Sequence, residues 1–118
     1  MQSHQLGIHG EDQACRYLEN KGYLIVERNW RYRKAEIDII AVKGNTLAIV
    51  EVKTRSTVSF GDPVDFIGRA KIEMLRKATN AYVNSNGINL EVRFDFIGIV
   101  SRSNQQKLTH VKDACFIF

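Results

Sequence analysis

Two short apolar segments with charged residues inside them, joined by a tight turn, constrain the fold of this chain most strongly. The segments span residues 36–41 and 48–55, and the sequence Lys-Gly-Asn-Thr at 43–46 lies between them. A Gly-Asn step between apolar runs is typical of a two-residue hairpin turn. If Gly44 and Asn45 form the turn, Lys43 faces Thr46 and the two segments pair as antiparallel strands.

This register places two acidic residues directly opposite each other. Asp38 faces Glu51, and Glu36 faces Lys53. Side chains alternate along a strand, so these four share one face. Directly opposed residues have Cβ atoms about 4.5–5.5 Å apart, where like charges are destabilising. The pattern therefore predicts a cation between the Asp38 and Glu51 carboxylates, which is a metal site.

The other face of the hairpin supports the same register. Its pairs are wholly apolar: Ile37 with Val52, Ile39 with Val50, and Ala41 with Ala48. A slip of one residue would mix carboxylates with apolar residues on both faces. Ile40 and Ile49 also make the charged face partly apolar, which argues against the alternative of a solvated surface whose charges pair with each other. Both faces are thus expected to be covered by helices.

The rest of the chain predicts two helices and three further strands. The helices cover about residues 5–21 and 65–84, the strands cover about 23–30, 91–100 and part of 108–118, and a loop with the only proline covers 56–63. The passage from the second hairpin strand through the second helix to residue 97 allows a right-handed crossover between parallel strands. The predicted fold class is α/β, with a central mixed sheet flanked by helices in a single domain of residues 1–118.

Helical periodicity predicts which side of each helix is buried. In the first helix the seam is Ile8, Glu11, Ala14, Cys15 and Leu18, and in the second it is Ile67, Ala70, Met74, Leu75, Ala78 and Tyr82. Glu11 is the one charged residue of these seams. It is expected to point toward a polar group within the core, the alternative being a partly exposed residue whose stem packs.

One acid outside the hairpin is predicted to be structural. Asp95 lies between Phe94 and Phe96, and Arg93 shares its face of the strand. We interpret Asp95 as a buried acid paired with an arginine.

Charge and cysteine content indicate the setting of the protein. The net charge is +4 and the pI is about 9.2, which suits a polyanionic partner. The apolar runs are too short to span a membrane, and the N-terminus lacks the apolar core of a signal peptide. Cys15 and Cys115 lack a metal-type spacing, so we expect free thiols in a cytoplasmic protein. The scattered His4, His9 and His110 give no support to a histidine metal site.

The hairpin residues are suited to Mg²⁺ or Mn²⁺ chemistry on phosphodiesters. Mg²⁺ prefers oxygen ligands, usually one or two carboxylates completed by water and phosphate oxygens. We predict Asp38 and Glu51 as carboxylate ligands and the Val52 carbonyl as a third ligand. Lys53 is predicted to orient water or stabilise charge in the transition state, while its use as a base stays open. Glu11 is a candidate outer ligand.

Basic and aromatic residues alternate just before the acidic strand. The basic clusters are Arg28, Arg31, Arg33 and Lys34, and then Arg69, Lys71, Arg76 and Lys77. Trp30 and Tyr32 lie within the first cluster, and arginine with aromatic side chains is typical of grooves that hold a nucleic-acid strand. We predict phosphate contacts from Arg31, Arg33 and Arg55, and a nucleic-acid contact from Lys71, the alternative being solvated basic faces.

An Asp followed by Glu-x-Lys on adjacent strands, within an α-β-β-β-α-β order, resembles the PD-(D/E)XK nuclease superfamily. More closely, the chain resembles the bacterial YraN-like family of uncharacterised proteins, which is itself similar to archaeal Holliday junction resolvases. The resemblance rests on Gly10-Glu11, Ala14, Leu18 to Gly22, Arg28-Asn29, residues 36–41, residues 50–55, Lys71, Leu75 and Arg93-Phe94-Asp95. Ala35 departs from it, because the family usually has glycine there, and a methyl group restricts the backbone.

The resemblance implies a restriction-endonuclease-like core and a set of site residues. Glu11, Asp38 and Glu51 would surround the metal, with Lys53 in the active site. Lys71 matches a position that often completes such sites, although a surface lysine lying along an apolar stripe would look the same.

These observations lead us to expect a Mg²⁺-dependent nuclease acting on DNA, with branched or junction DNA suggested by analogy alone. The alternative is a nucleic-acid-binding module that keeps the fold but cuts poorly or not at all, and an RNA substrate is a third possibility. A chain of this size encloses little duplex, so we also expect a homodimer that addresses two strands.

Overall fold

A mixed five-stranded sheet with a helix on each face forms the protein. The computed structural model describes residues 3–55, 68–102 and 105–114. The elements are α1 (Ser3–Asn20), β1 (Leu24–Tyr32), β2 (Ala35–Lys43), β3 (Thr46–Arg55), α2 (Arg69–Ser85), β4 (Glu91–Arg102) and β5 (Gln105–Val111). The predicted order of elements is confirmed, and the α/β architecture is consistent with a restriction-endonuclease-like core.

The strands lie in the order β1-β2-β3-β4-β5. β3 and β4 pair in parallel across the α2 crossover, and the other neighbours are antiparallel. The β2–β3 hairpin thus lies inside the sheet, as predicted. Its turn follows the Gly-Asn step, with Lys43 paired to Thr46 and Gly44 at a φ of 59°.

The two helices cover opposite faces of β3. Ala14, Cys15 and Leu18 of α1 pack in one core cluster with Ala48 and Val50. Leu75, Ala78 and Tyr82 of α2 pack in a second cluster with Leu47 and Ile49. Because residues 47–50 alternate between the clusters, the sheet buries both of its faces.

Two positions in or next to α1 require glycine, one for its backbone conformation and one for close packing. Gly22 has a φ of 93°, and the Tyr23 amide donates 2.9 Å to the Leu18 carbonyl in the manner of a Schellman C-cap. Gly10 packs so closely on β3 that a Cβ atom there would clash with the Thr54 methyl group. The close approach fixes the height of α1 above β3, next to Glu11.

The buried side of α2 differs from the predicted stripe. The helix begins at Arg69 after an extended Gly68 N-cap, and its buried residues are Ile72, Leu75, Ala78, Thr79 and Tyr82. Ala70 and Met74 are exposed, so their prediction as core residues is wrong. Ile72 was missed because it packs with Phe96 and Ala114, which are distant in sequence. Residues 65–67 of the predicted helix lie outside the described part of the chain.

The last strand also differs from its prediction. β5 spans Gln105–Val111, so it begins before the predicted range of about residues 108–118 and ends within it. The loop predicted at residues 56–63, Cys115, and the side chain of Ile8 lie outside the described part. Within that part, neither helix is long and apolar enough to cross a membrane.

A buried ion-pair network joins β4 to β5 and α1. The Asp95 side chain is fully buried, and Arg93 reaches both of its oxygens at 2.8 Å, which confirms the predicted pairing. His110 Nε2 lies 2.8 Å from Asp95, and its Nδ1 lies 3.0 Å from the Tyr17 hydroxyl. Burial favours the neutral acid, but the hydrogen bonds from His110, Arg93 and the Asp113 amide outweigh it and lower the pKa of Asp95 to about 2.

Candidate functional site

The β2–β3 ladder ends where the acidic residues begin. The predicted register is confirmed from Lys43–Thr46 to Ile39–Val50, but the ladder does not continue to the pairs predicted beyond it. There the Val52 amide donates a 2.8 Å hydrogen bond to Asp38 Oδ2. Ile37 packs in the α2 cluster instead of facing Val52. A side chain thus replaces a backbone partner, and the two strands part beside Asp38 and Glu51.

Asp38 and Glu51 form an electrostatically coupled, largely buried pair. Glu51 is 6% exposed, and its Oε1 accepts a 2.8 Å hydrogen bond from Lys71 Nζ. Burial first, and then the charge of Glu51, raises the pKa of Asp38 to about 8. The remaining oxygen of Glu51, Oε2, is buried and has no hydrogen-bond partner within the described ranges.

The surroundings of Glu51 Oε2 show whether these residues fit a bound metal ion. Buried polar atoms in proteins nearly always have a partner, and one without a partner needs a reason. In the metal-free protein a protonated Asp38 would donate a hydrogen bond to Glu51. A divalent cation would replace that proton, supply the partner for Glu51 Oε2 and relieve the repulsion from Asp38. Two carboxylates are the usual protein contribution to a Mg²⁺ site. The donor set therefore fits Mg²⁺ or Mn²⁺.

Glu11 lies near this pair without joining it. Its side chain is 20% exposed and lies 3.8 Å from Arg28. Burial is the main cause that raises the pKa of Glu11, and the charge of Glu11 contributes in turn to the raised pKa of Asp38. No three His, Cys, Asp or Glu side chains of residues 3–55, 68–102 and 105–114 are grouped to hold one ion. An outer role for Glu11 stays a prediction.

The lysines at the site have different surroundings. Lys53 is half-buried on β3, two residues after Glu51. Its expected partner, Glu36, instead forms a 3.0 Å ion pair with Arg31. Lys71 was implied only by the family resemblance, and the first turn of α2 brings its ammonium group to Glu51. The catalytic role of Lys53 and the nucleic-acid contact of Lys71 stay predictions, as does the Val52 carbonyl ligand.

A cleft of about 450 Å³ opens from Asp38 to the surface between the β1–β2 hairpin and α2. Its lining is Lys34, Ala35, Glu36, Asp38, Ala70, Lys71, Met74 and Leu75. This volume is within the range of about 300–1,000 Å³ that is usual for ligand sites. Asp38 therefore borders a space that a ligand can enter from solvent, whereas Glu51 and Lys53 are not among the described residues that line it.

The arginines predicted to contact phosphate are placed differently from one another. Arg31 is 76% exposed beside Glu36. Arg33 is exposed at the β1–β2 turn, with its guanidinium carbon 5.2 Å from the centre of the Tyr32 ring. The Arg55 side chain is outside the described part. The phosphate contacts stay predictions. Arg31 pairs with Glu36, which lines the cleft, and Arg33 precedes Lys34, which also lines it.

Comparison with known proteins gives matches over nearly the whole chain. The model of the uncharacterised protein family UPF0102 matches residues 10–99. A UPF0102 protein of Flavobacterium psychrophilum is 52% identical over 113 residues, covering 96% of this chain and 95% of the relative. Relatives of the same name from Christiangramia forsetii and Bacteroides thetaiotaomicron are 50% and 42% identical, covering 97% and 95% of this chain and 96% and 93% of their own.

Proposed function

This chain belongs to the uncharacterised protein family UPF0102, and we propose that it is a metal-dependent nuclease that hydrolyses phosphodiester bonds in DNA. UPF0102 is the YraN-like family with a PD-(D/E)XK-like fold that the sequence motifs predicted. The family name carries no reaction, so the proposal rests on the site. The observation that carries it is the pair of buried acids: Glu51 Oε2 has no hydrogen-bond partner among the described residues apart from the proton that Asp38 retains through its raised pKa. A fold without use for a cation would gain stability by replacing one of these acids.

Asp38 and Glu51 would hold Mg²⁺ or Mn²⁺, with the Val52 carbonyl as a third ligand. When bound, the ion would polarise the scissile phosphate and lower the pKa of a water molecule. Lys53 contributes a positive charge toward the phosphate oxygens as negative charge develops on them. Lys71 neutralises Glu51 in the metal-free protein and holds its carboxylate in place through the 2.8 Å hydrogen bond. Glu11 adds negative charge from α1.

The proposed partner is DNA, for reasons of charge and of analogy. The chain has a net charge of +4, and Arg31 and Arg33 are exposed near the cleft. Branched or junction DNA is the proposed substrate by analogy with the resolvases that the sequence resembles. A cytoplasmic homodimer would let two such clefts address two strands.

A cleavage assay tests the proposal directly. We expect the full chain to cut linear, nicked or four-way-junction DNA with Mg²⁺ or Mn²⁺ and not with EDTA. Asp38→Ala and Glu51→Ala should abolish cutting, while Glu19→Gln, an exposed acid of α1, should retain it. No cutting by the wild type under any of these conditions would overturn the proposal.

The same assay separates the enzyme from a binding module. DNA binding that persists in the wild type, Asp38→Ala and Glu51→Ala, without cutting by any of them, would select the module. Cutting of matched RNA in preference to DNA would keep the nuclease and change its substrate.

A further inference from the structure

A second pocket adjoins the acidic cleft at the tip of the β1–β2 hairpin. It has a volume of about 300 Å³ and is lined by Tyr32, Arg33, Lys34, Ala35, Met74 and Lys77. Lys34, Ala35 and Met74 line the acidic cleft as well. The two spaces are therefore neighbours with a common wall, and a ligand in one lies next to the other.

The pocket combines an apolar surface with cations. Tyr32 contributes an aromatic ring, Met74, which is 37% exposed, contributes a thioether side chain, and Ala35 contributes a methyl group. Arg33, Lys34 and Lys77 are all exposed, and none of the described residues that line the pocket is acidic. A ligand that matches this pocket has a flat apolar part and a negative charge.

Arg33, one of the residues that line the pocket, has a strained backbone conformation. Arg33 occupies a two-residue turn between Tyr32 and Ala35 with a φ of 58°. Such turns favour glycine or asparagine at positive φ, and the Cβ atom of any other residue there is sterically strained. The guanidinium group nevertheless lies 5.2 Å from the centre of the Tyr32 ring. Strain of this kind is retained where the side chain has a use.

We propose that this pocket binds one unpaired nucleobase, with the adjoining phosphates held by Arg33, Lys34 and Lys77. The inference rests on the proposed function and names its substrate class: DNA with an unpaired nucleotide next to the bond that is cut. Every base has a π-face that stacks on an aromatic ring or a guanidinium plane. A base within a duplex is stacked between its neighbours and cannot enter such a pocket without being extruded. The common wall places the next phosphate toward Asp38.

Binding without metal tests the pocket independently of cleavage. Three duplexes of one sequence are compared by fluorescence anisotropy in EDTA: fully paired, with a single-thymidine bulge, and with the same bulge lacking its base. We expect the wild-type chain to bind the thymidine bulge on the order of tenfold more tightly than the abasic bulge. The abasic duplex keeps the phosphates and the bend. The ratio of the two affinities, thymidine bulge over abasic bulge, therefore reports the contribution of the base alone.

Variants locate the effect in the pocket. Met74→Glu places a carboxylate in it at an exposed position, and we expect the base-dependent ratio to fall to about one. Asn84→Glu makes the same charge change on an exposed position of α2 outside the pocket and should keep the ratio. Circular dichroism checks that each variant is folded.

The outcomes distinguish this inference from the nuclease proposal. Equal binding of the two bulges by the wild type, or an unchanged ratio in Met74→Glu, overturns the base pocket even if the chain cuts DNA. A base-dependent ratio that Met74→Glu abolishes, in a chain that never cuts, keeps the pocket and overturns the nuclease.

Discussion

The Val52 amide donates a 2.8 Å hydrogen bond to Asp38 Oδ2 at the point where the β2–β3 ladder ends. One oxygen of the Asp38 carboxyl group thus accepts the hydrogen bond that a backbone carbonyl would accept in a continuous ladder. The same carboxyl group faces Glu51. Asp38 is both a structural acceptor and half of an unfavourable pair. An asparagine side chain in place of Asp38 would still accept the hydrogen bond from Val52, but it would not carry a charge beside Glu51.

Asp38→Asn is therefore expected to stabilise the metal-free protein by about 1 kcal/mol near pH 8, because the neutral amide removes the cost of holding a proton on Asp38, or of ionising it beside Glu51, and keeps the acceptor for Val52. It should also abolish Mn²⁺ uptake and DNA cleavage. Denaturant unfolding in EDTA and calorimetric titration with Mn²⁺ measure the two effects. Asp12→Asn, an acid that pairs with Arg28, is the control. A destabilised variant that still binds Mn²⁺ would contradict the assignment.

The raised pKa of Asp38 predicts how stability depends on pH. The native state holds this proton up to about pH 8, whereas the unfolded chain loses it near the ordinary value of about 4. Between these values the folded state binds more protons, so the contribution of Asp38 to stability declines as pH rises and levels off above 8. We expect metal-free wild type to lose stability from pH 5 to 8 relative to Asp38→Asn.

Mn²⁺ uptake should show the opposite trend. The metal competes with the proton on Asp38, so apparent affinity should rise with pH up to about 8 and binding should release protons. Calorimetry in two buffers of different ionisation enthalpy measures the release. Affinity that is flat over this range would contradict a ligand role for Asp38.

Lys71→Met removes the cation that faces Glu51. Oε1 of the buried Glu51 carboxylate then loses its hydrogen-bond partner, which lowers the stability of the protein by about 1–2 kcal/mol. Since the Lys71 side chain is 41% exposed, solvent screening favours the lower part of that range. We expect a lower melting temperature in EDTA and a partial recovery with Mn²⁺. Lys107→Met, at an exposed position of β5, should change neither. A loss that Mn²⁺ leaves untouched would argue against a metal between the acids.

Asp95→Asn tests the network between β4 and β5. Removing one member of a buried pair leaves Arg93 without its counter-ion and costs about 3 kcal/mol. Because the pKa of Asp95 is lowered to about 2, its stabilisation is present above the unfolded value near 4 and is lost as pH falls toward 2. The free energy of unfolding of the variant should therefore change less between about pH 4 and pH 2 than that of the wild type. Mn²⁺ uptake at a temperature where the variant is folded should be unchanged.

Arg33→Gly and Arg33→Ala separate strain from charge at the hairpin turn. Both remove the guanidinium group, but only glycine accepts a φ of 58° without cost. Arg33→Gly should be more stable than Arg33→Ala by about 1 kcal/mol, with equal losses of DNA affinity. Thermal unfolding and anisotropy measure these quantities. Unequal DNA affinities would mean that the turn conformation, rather than the cation, matters for binding.

Sequence patterning accounts for the local parts of this structure. The Gly-Asn turn sets the register from residue 39 to 50, since a hairpin turn fixes its flanking pairs. The pairing of Arg93 with Asp95 follows from period-two alternation on one strand. In each case the interacting residues are neighbours in sequence or across one turn.

The parts that could not be predicted depend on distant packing. Ile72 is buried because Phe96 and Ala114 lie beneath it, and His110 reaches Asp95 only after β5 joins the sheet. The parting of β2 from β3 at Asp38 depends on one side-chain hydrogen bond that no periodicity encodes. Met74 was expected in the core for its hydrophobicity, but the rotation of α2 leaves it exposed in the pocket beside Tyr32.

The short connection between the two acidic strands has a consequence for the order of folding. Asp38 and Val52 are 14 residues apart, whereas the parallel partner of Glu51 is Phe96, which joins only after the α2 crossover. Local contacts close faster than distant ones. We expect the hairpin with both carboxylates to form early and the docking of β4 to limit the rate. Manganese that binds this early hairpin should then speed refolding in a stopped-flow experiment, and an identical rate with and without the ion would show that the ligands meet only in the finished sheet.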